Sequence, residues 1–126
     1  NYAHTGETGT YRYMAPEVLR SQSYNCKVDI WSFGMLVYAM FVEIPFTGFT
    51  SDMMYDAIIG DPFRWLSLKS VKHDNIVNLI RKTVTHDPEY RWDATYMVNF
   101  CNISLYDSQL TKVKKKKRKK IRCCIF

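Results

Sequence analysis

Few side chains in this sequence could do chemistry, and they are unevenly placed. His4, His73 and His86 stand at no metal-ligand spacing with cysteines or acids, so a zinc site is not expected. Cys26 and Cys101 are isolated in apolar surroundings, and Cys123 adjoins Cys124, so reduced thiols are expected rather than a disulfide framework. Two constellations remain. One is an ordered series of short motifs: Gly9-Thr10-Tyr11-Arg12-Tyr13-Met14-Ala15-Pro16-Glu17, then Asp29-Ile30-Trp31-Ser32-Phe33-Gly34, then Asp87-Pro88-Glu89-Tyr90-Arg91. The other is a basic run from Lys112 to Arg122, with nine Lys or Arg and no acid. The rest of the chain then carries nine bases against twelve acids, so the net charge of +6 describes a mildly acidic body with a strongly basic tail. That asymmetry concerns partners, not fold.

The motifs need elements to hold them, and 126 residues allow one domain at most. Hydrophobic residues are 47% and charged residues 24%, ordinary globular usage. Aromatic content of 15% supplies bulk for a core. No apolar run reaches the roughly 18 residues of a membrane span, and the polar start argues against a secretory signal. The sequence has no initiator Met and is expected to begin inside a longer product. Residues 1–15 are rich in Gly, Thr and Tyr and read as loop. Pro16 suits a first helical position, so a short helix is expected through Ser21.

Val28 to Phe41 is apolar on every face of a helical wheel, which places it as the buried central helix of something larger, with Trp31, Phe33 and Met35 in the core. Pro45 ends it. Ser51 is the expected N-cap of a helix over Asp52 to Ile59, with Gly60 at its end, and Asp61 to Ser70 reads as irregular. Asp74 is the expected cap of an amphipathic helix over Asn75 to Thr85, and Asp93 of a last helix from Ala94 to about Ile103. No segment alternates as a strand does, so the chain reads as mainly α.

The ordered motifs resemble the C-terminal lobe of eukaryotic protein kinases, over roughly residues 5–105. Ala15-Pro16-Glu17 is similar to the A-P-E triplet that closes the kinase activation segment. Thr5-Gly6-Glu7-Thr8-Gly9-Thr10-Tyr11-Arg12 looks most like the tyrosine-kinase-like, Raf-related serine/threonine kinases. The resemblance implies a truncated helical lobe over 1–106 and a disordered polybasic tail over 107–126. It implies that Glu17 pairs with Arg91 in the interior, although both could be surface charges. It implies that Asp29 accepts hydrogen bonds from a catalytic loop; it could also be a simple helix N-cap, and the two roles are not exclusive. Thr10 matches the threonine beside the catalytic aspartate, and Tyr11, Arg12, Tyr13 and Met14 would line the pocket for the substrate residue after the phospho-acceptor. Thr5 and Thr8 sit where activation-loop phosphorylation occurs in related enzymes, although unmodified hydroxyls are the plainer reading. Trp31 and Gly34 are structural. The sequence departs from the family at Trp92, where proline is usual, and at Glu43, where a turn glycine is common.

Phosphoryl transfer needs a glycine-rich cover, a lysine on the phosphates, a catalytic aspartate and a metal-binding aspartate. Glycines at 6, 9, 34, 48 and 60 allow no G-x-G-x-x-G, and neither His-Arg-Asp nor Asp-Phe-Gly occurs. All these parts precede an activation loop in the family. The expectation is therefore a kinase fragment with no catalytic residue, no metal ligand and no small-molecule site of its own. ATP and Mg2+ would belong to the full-length family. The alternative is a non-catalytic remnant that binds protein substrates or another kinase. Cys123-Cys124-Ile125-Phe126 resembles a prenylation box with Cys123 as the lipidated residue. With the adjacent bases it points through residues 112–126 to an anionic membrane surface on the cytoplasmic side. A nuclear-localisation or nucleic-acid role is the rival, and an unselected solvated tail is the third reading.

Overall fold

The computed structural model describes residues 10–104. They divide into two compact units at Asp93 and Ala94. All the regular structure is helical, with no strand among the described residues. The first unit runs η1 (Thr10–Tyr13), α1 (Pro16–Leu19), α2 (Lys27–Phe41), α3 (Ser51–Ile59), η2 (Pro62–Arg64) and α4 (Asp74–Thr83). In the second, α5 spans 94–104. The boundary expected at 106/107 lies outside the described residues.

α2 is the centre of the first unit, packed against α4 and η1. Ile30, Trp31, Met35, Val37 and Tyr38 on it are buried. α4 is strongly amphipathic and turns Leu79, Ile80 and Thr83 inward. The two helices meet at Gly34, where a Cβ would fall on Thr83 Oγ1 and 2.8 Å from Thr83 Cβ and Val84 Cγ2. Gly34 is thus set by close approach, not by backbone torsion. The buried Thr83 hydroxyl donates back to Leu79 O at 2.7 Å, so the contact strands no polar group. α3 lies against α1, η1 and η2.

Burial of α2 is one-sided. Phe33, Leu36 and Met40 are exposed at 38%, 51% and 73%, and Asp29 is exposed one turn before them. At 3.6 residues per turn these four share an arc of about 60°. Phe33 is therefore corrected from core to surface.

Several termini differ from expectation. Residues 10–13, read as loop, form a 3-10 turn, and the helix from Pro16 stops at Leu19 instead of Ser21. Cys26 is the N-cap of α2, which puts Asp29 in the first turn and not at the cap. Thr50 caps α3 by accepting from Met53 N, and Ser51 is the first helical residue. His73 precedes α4 with no side-chain cap, and Asp74 lies in the first turn, where its charge favours the helix dipole. α4 ends at Thr83; Thr85 sits beyond it, donating to Arg81 O at 2.8 Å. Within the stretch read as irregular, Asp61 accepts from Phe63 N at 3.0 Å and starts η2.

Candidate functional site: a buried ion pair and the turn beside it

Glu17 and Arg91, 74 residues apart, meet in the interior of the first unit. Arg91 Nη1 donates to Glu17 Oε1 at 2.7 Å and Nη2 to Oε2 at 3.0 Å, a two-point pair with the residues 5% and 2% exposed. The remaining donors of Arg91 go to Thr85 O at 2.9 Å, Lys27 O at 2.9 Å and His86 O at 3.3 Å. The guanidinium also stands 5.3 Å from the Trp31 ring centroid. One side chain thus ties together α1, the start of α2 and the loop after α4. A planar fork of five donors suits this and a lysine would not. Burial pushes the Glu17 carboxyl up. Hydrogen bonds from Arg91 and from its own backbone, with the charges of Arg91 and His86, outweigh that and leave it below its ordinary value. Trp31 is fully buried, and its indole N–H meets no acceptor among the described residues.

The anchor holds up η1. Ala15 and Pro16 are buried directly before Glu17, so the 3-10 turn leaves the anchored segment at a fixed point. Ser32 on α2 donates to Tyr13 O at 2.7 Å, and Arg12 Nη1 donates to Pro45 O at 2.6 Å. Tyr11, Arg12 and Tyr13 are half-buried on this turn. The platform is braced from below by α2 and from the side by the loop at Pro45. Phe46 follows in the left-handed region at φ 56, buried, with its ring 5.6 Å from Phe49. Phe49 in turn meets Trp65 edge-on at 5.4 Å.

Asp29 is exposed at the head of the open α2 stripe, and its carboxylate accepts no hydrogen bond among the described residues. Trp92, at the family's proline position, donates its backbone N–H to Lys82 O at 3.1 Å, a bond proline could not make. Thr5, Thr8 and Cys123 lie outside the described residues, as do 105–126.

Sequence reasoning missed the bond from Arg12 to Pro45 and the aromatic series Phe46, Phe49 and Trp65. The visible signal was the run Phe63-Arg64-Trp65 inside a stretch too short for helical periodicity.

No three His, Cys, Asp or Glu side chains among the described residues converge as metal ligands. One pocket is lined by three bases and another by Asp87 and Glu89 among other residues, and neither is lined by a glycine.

The kinase resemblance of the ordered motifs, two of which are joined by the buried pair Glu17–Arg91, is matched by the sequence comparison. The protein kinase domain family matches residues 2–103, and the chain belongs to that family. It is 38% identical over 85 residues to protein kinase C of Aspergillus fumigatus, covering 66% of this chain and 7% of that protein. It is 38% identical over 88 residues to protein kinase C-like 1 of Saccharomyces cerevisiae, covering 68% and 7%. Serine/threonine-protein kinase N2 of Danio rerio is 34% identical over 87 residues, covering 68% and 9%. The chain therefore spans less than a tenth of the length of these relatives. They are protein kinase C and N types, so the Raf-related placement is corrected. It rested on the short stretch 5–12, whereas these identities extend over most of the chain.

Proposed function

We propose that this chain is the substrate-side floor of a serine/threonine protein kinase lobe. It presents η1 to a protein substrate and does not transfer phosphate by itself. The observation that carries the reading is the open stripe Asp29, Phe33, Leu36 and Met40 along α2, a helix that buries Ile30, Trp31, Met35, Val37 and Tyr38 on its other side, beside the anchored segment. A helix apolar all round is built to be covered all round. A carboxylate that has no partner among the described residues, at the head of the stripe, suits backbone N–H groups of a loop laid over it. A nucleotide-binding half seated there would place the transferred phosphate above Thr10 and the half-buried Tyr11 to Tyr13. The chain's own residues would then orient the acceptor and hold the platform still. Positioning of this kind is a large part of phosphoryl-transfer catalysis. The similarity to serine/threonine-protein kinase N2 of Danio rerio supports serine or threonine acceptors.

The test joins this chain in frame after the nucleotide-binding half of the yeast relative, ending at its activation loop. The fusion should phosphorylate serine or threonine peptides with ATP, while the 126-residue chain alone should neither bind ATP in calorimetry nor transfer phosphate. A folded but inactive fusion, or an active isolated chain, overturns the reading.

A further inference from the structure

On the first unit, η2, the segment after it and α4 enclose a half-open groove of about 470 Å³, within the usual ligand-pocket range of about 300–1,000 Å³. Its lining has two chemistries. Leu66 and Leu68 are buried in the floor, and Phe63 is half-buried in the wall. Trp65 stands at the rim, 58% exposed, braced edge-on by Phe49. Around these apolar surfaces stand Arg64, Lys69 and Arg81, all exposed, and no acid lines the groove. Arg81 lies over the Phe63 ring, 5.2 Å from its centroid. None of the three cations is in an ion pair among the described residues. The nearby carboxylate of Asp61 is turned onto the backbone N–H of Phe63.

We propose that this groove docks a short acidic segment of a partner protein, carrying one apolar anchor side chain between its acids. The three uncompensated cations supply the charge complement, and they border a rigid aromatic wall and a leucine floor that would bury the anchor. The body that carries the groove is net acidic apart from the basic run, so an extended polyanion would meet repulsion beyond the rim. A short peptide reaches only the cationic border. A braced, exposed Trp beside Arg is the composition of an interface hot spot. The docking does not depend on the kinase reading, because it uses no residue of the η1 platform.

The basic run 112–122 would also attract acids, so the test reads the anchor and not the charge. Two labelled acidic peptides, identical except for a central Phe or Gly, are titrated into the full chain by fluorescence anisotropy. The Phe peptide should bind about tenfold tighter or more, the usual gain for burying one large apolar side chain. Trp65→Ala and the exposed changes Arg64→Glu and Lys69→Glu should each shrink that ratio towards unity. Exchanging Lys114, Lys115, Lys116 and Lys117 for Gln should lower both affinities and keep the ratio. In amide spectra of the wild type, the Phe peptide should shift residues 63–69 and 81. Equal binding of the two peptides, or a ratio that survives all three groove changes, overturns the proposal. So does an RNA oligomer that binds with the same sensitivity to Arg64→Glu and Lys69→Glu.

Discussion

Replacing Arg91 with Met keeps the volume of the side chain and removes five donors. Glu17 is then a buried carboxylate without its partner, and the carbonyls of Thr85, Lys27 and His86 lose theirs. Breaking a buried pair from one side costs about 3–5 kcal/mol, a large share of the roughly 5–15 kcal/mol that holds a domain folded. The pH dependence is more diagnostic than the size. In the wild type the Glu17 pKa lies below its ordinary value of 4.5. Its stabilisation is therefore present above that value and drains away as pH falls through the lower, folded-state one. In Arg91→Met the arginine's hydrogen bond and charge are gone, the backbone hydrogen bond and the His86 charge remain as smaller lowering influences, and burial, the largest single influence, is left to raise the pKa. The raised group penalises the fold at neutral pH and ceases to do so as it takes up a proton. The variant should thus gain stability relative to the wild type as pH falls from about 7 towards about 5, and the gap between them should narrow. Glu17→Gln gives no such relief, because the arginine left behind does not deprotonate. Urea denaturation followed by tryptophan fluorescence at the two pH values measures both gaps. A gap below about 1 kcal/mol, as for an exposed pair, would refute the reasoning. So would a gap for Arg91→Met that does not change with pH.

Three other outcomes follow from the packing and the charge run. Gly34→Ala should cost about 1–3 kcal/mol or more in urea midpoints, because the new methyl falls on Thr83 at the crossing of α2 and α4. Thr50→Ala should cost about 1 kcal/mol through loss of the α3 cap, and Ser51→Ala only a few tenths, measured the same way. Anionic lipid vesicles should retain the chain at low salt and release it as salt rises. Exchanging Lys114 to Lys117 for Gln should weaken retention by about 1 kcal/mol per base, whereas retention on neutral vesicles of equal strength would contradict an electrostatic contact.

The parts of the fold that could be read in the sequence are those written in local pattern. The apolarity of Val28 to Phe41 marked α2 because a helix is spelled out at 3.6-residue spacing, and the amphipathic spacing of Ile76 to Ile80 marked α4 in the same way. The same apolarity could not say which face would be bare, since Phe33 and Met35 look alike until packing buries one and leaves the other exposed. Glu17 and Arg91 are 74 residues apart, and no periodicity links them; only likeness to a family suggested the pair. Caps slipped by one residue where two competent side chains adjoin, as Thr50 and Ser51 do. The groove at Arg64, Lys69 and Arg81 was illegible because it is assembled from a short irregular segment and one helix face.

The open stripe of α2 is the joint on which the functional reading depends, and two charges placed on it test that directly. Leu36→Glu and Met40→Glu change exposed residues, so the 126-residue chain should keep its urea midpoint within about 0.5 kcal/mol, as surface changes usually do. In the fusion to a nucleotide-binding half the same two changes would bury carboxylates without partners, at several kcal/mol each. Phosphate transfer to a serine or threonine peptide by that fusion should fall by at least about a hundredfold, since each 1.4 kcal/mol is a factor of ten. A fusion that carries both glutamates and transfers phosphate at the unsubstituted rate would contradict the account.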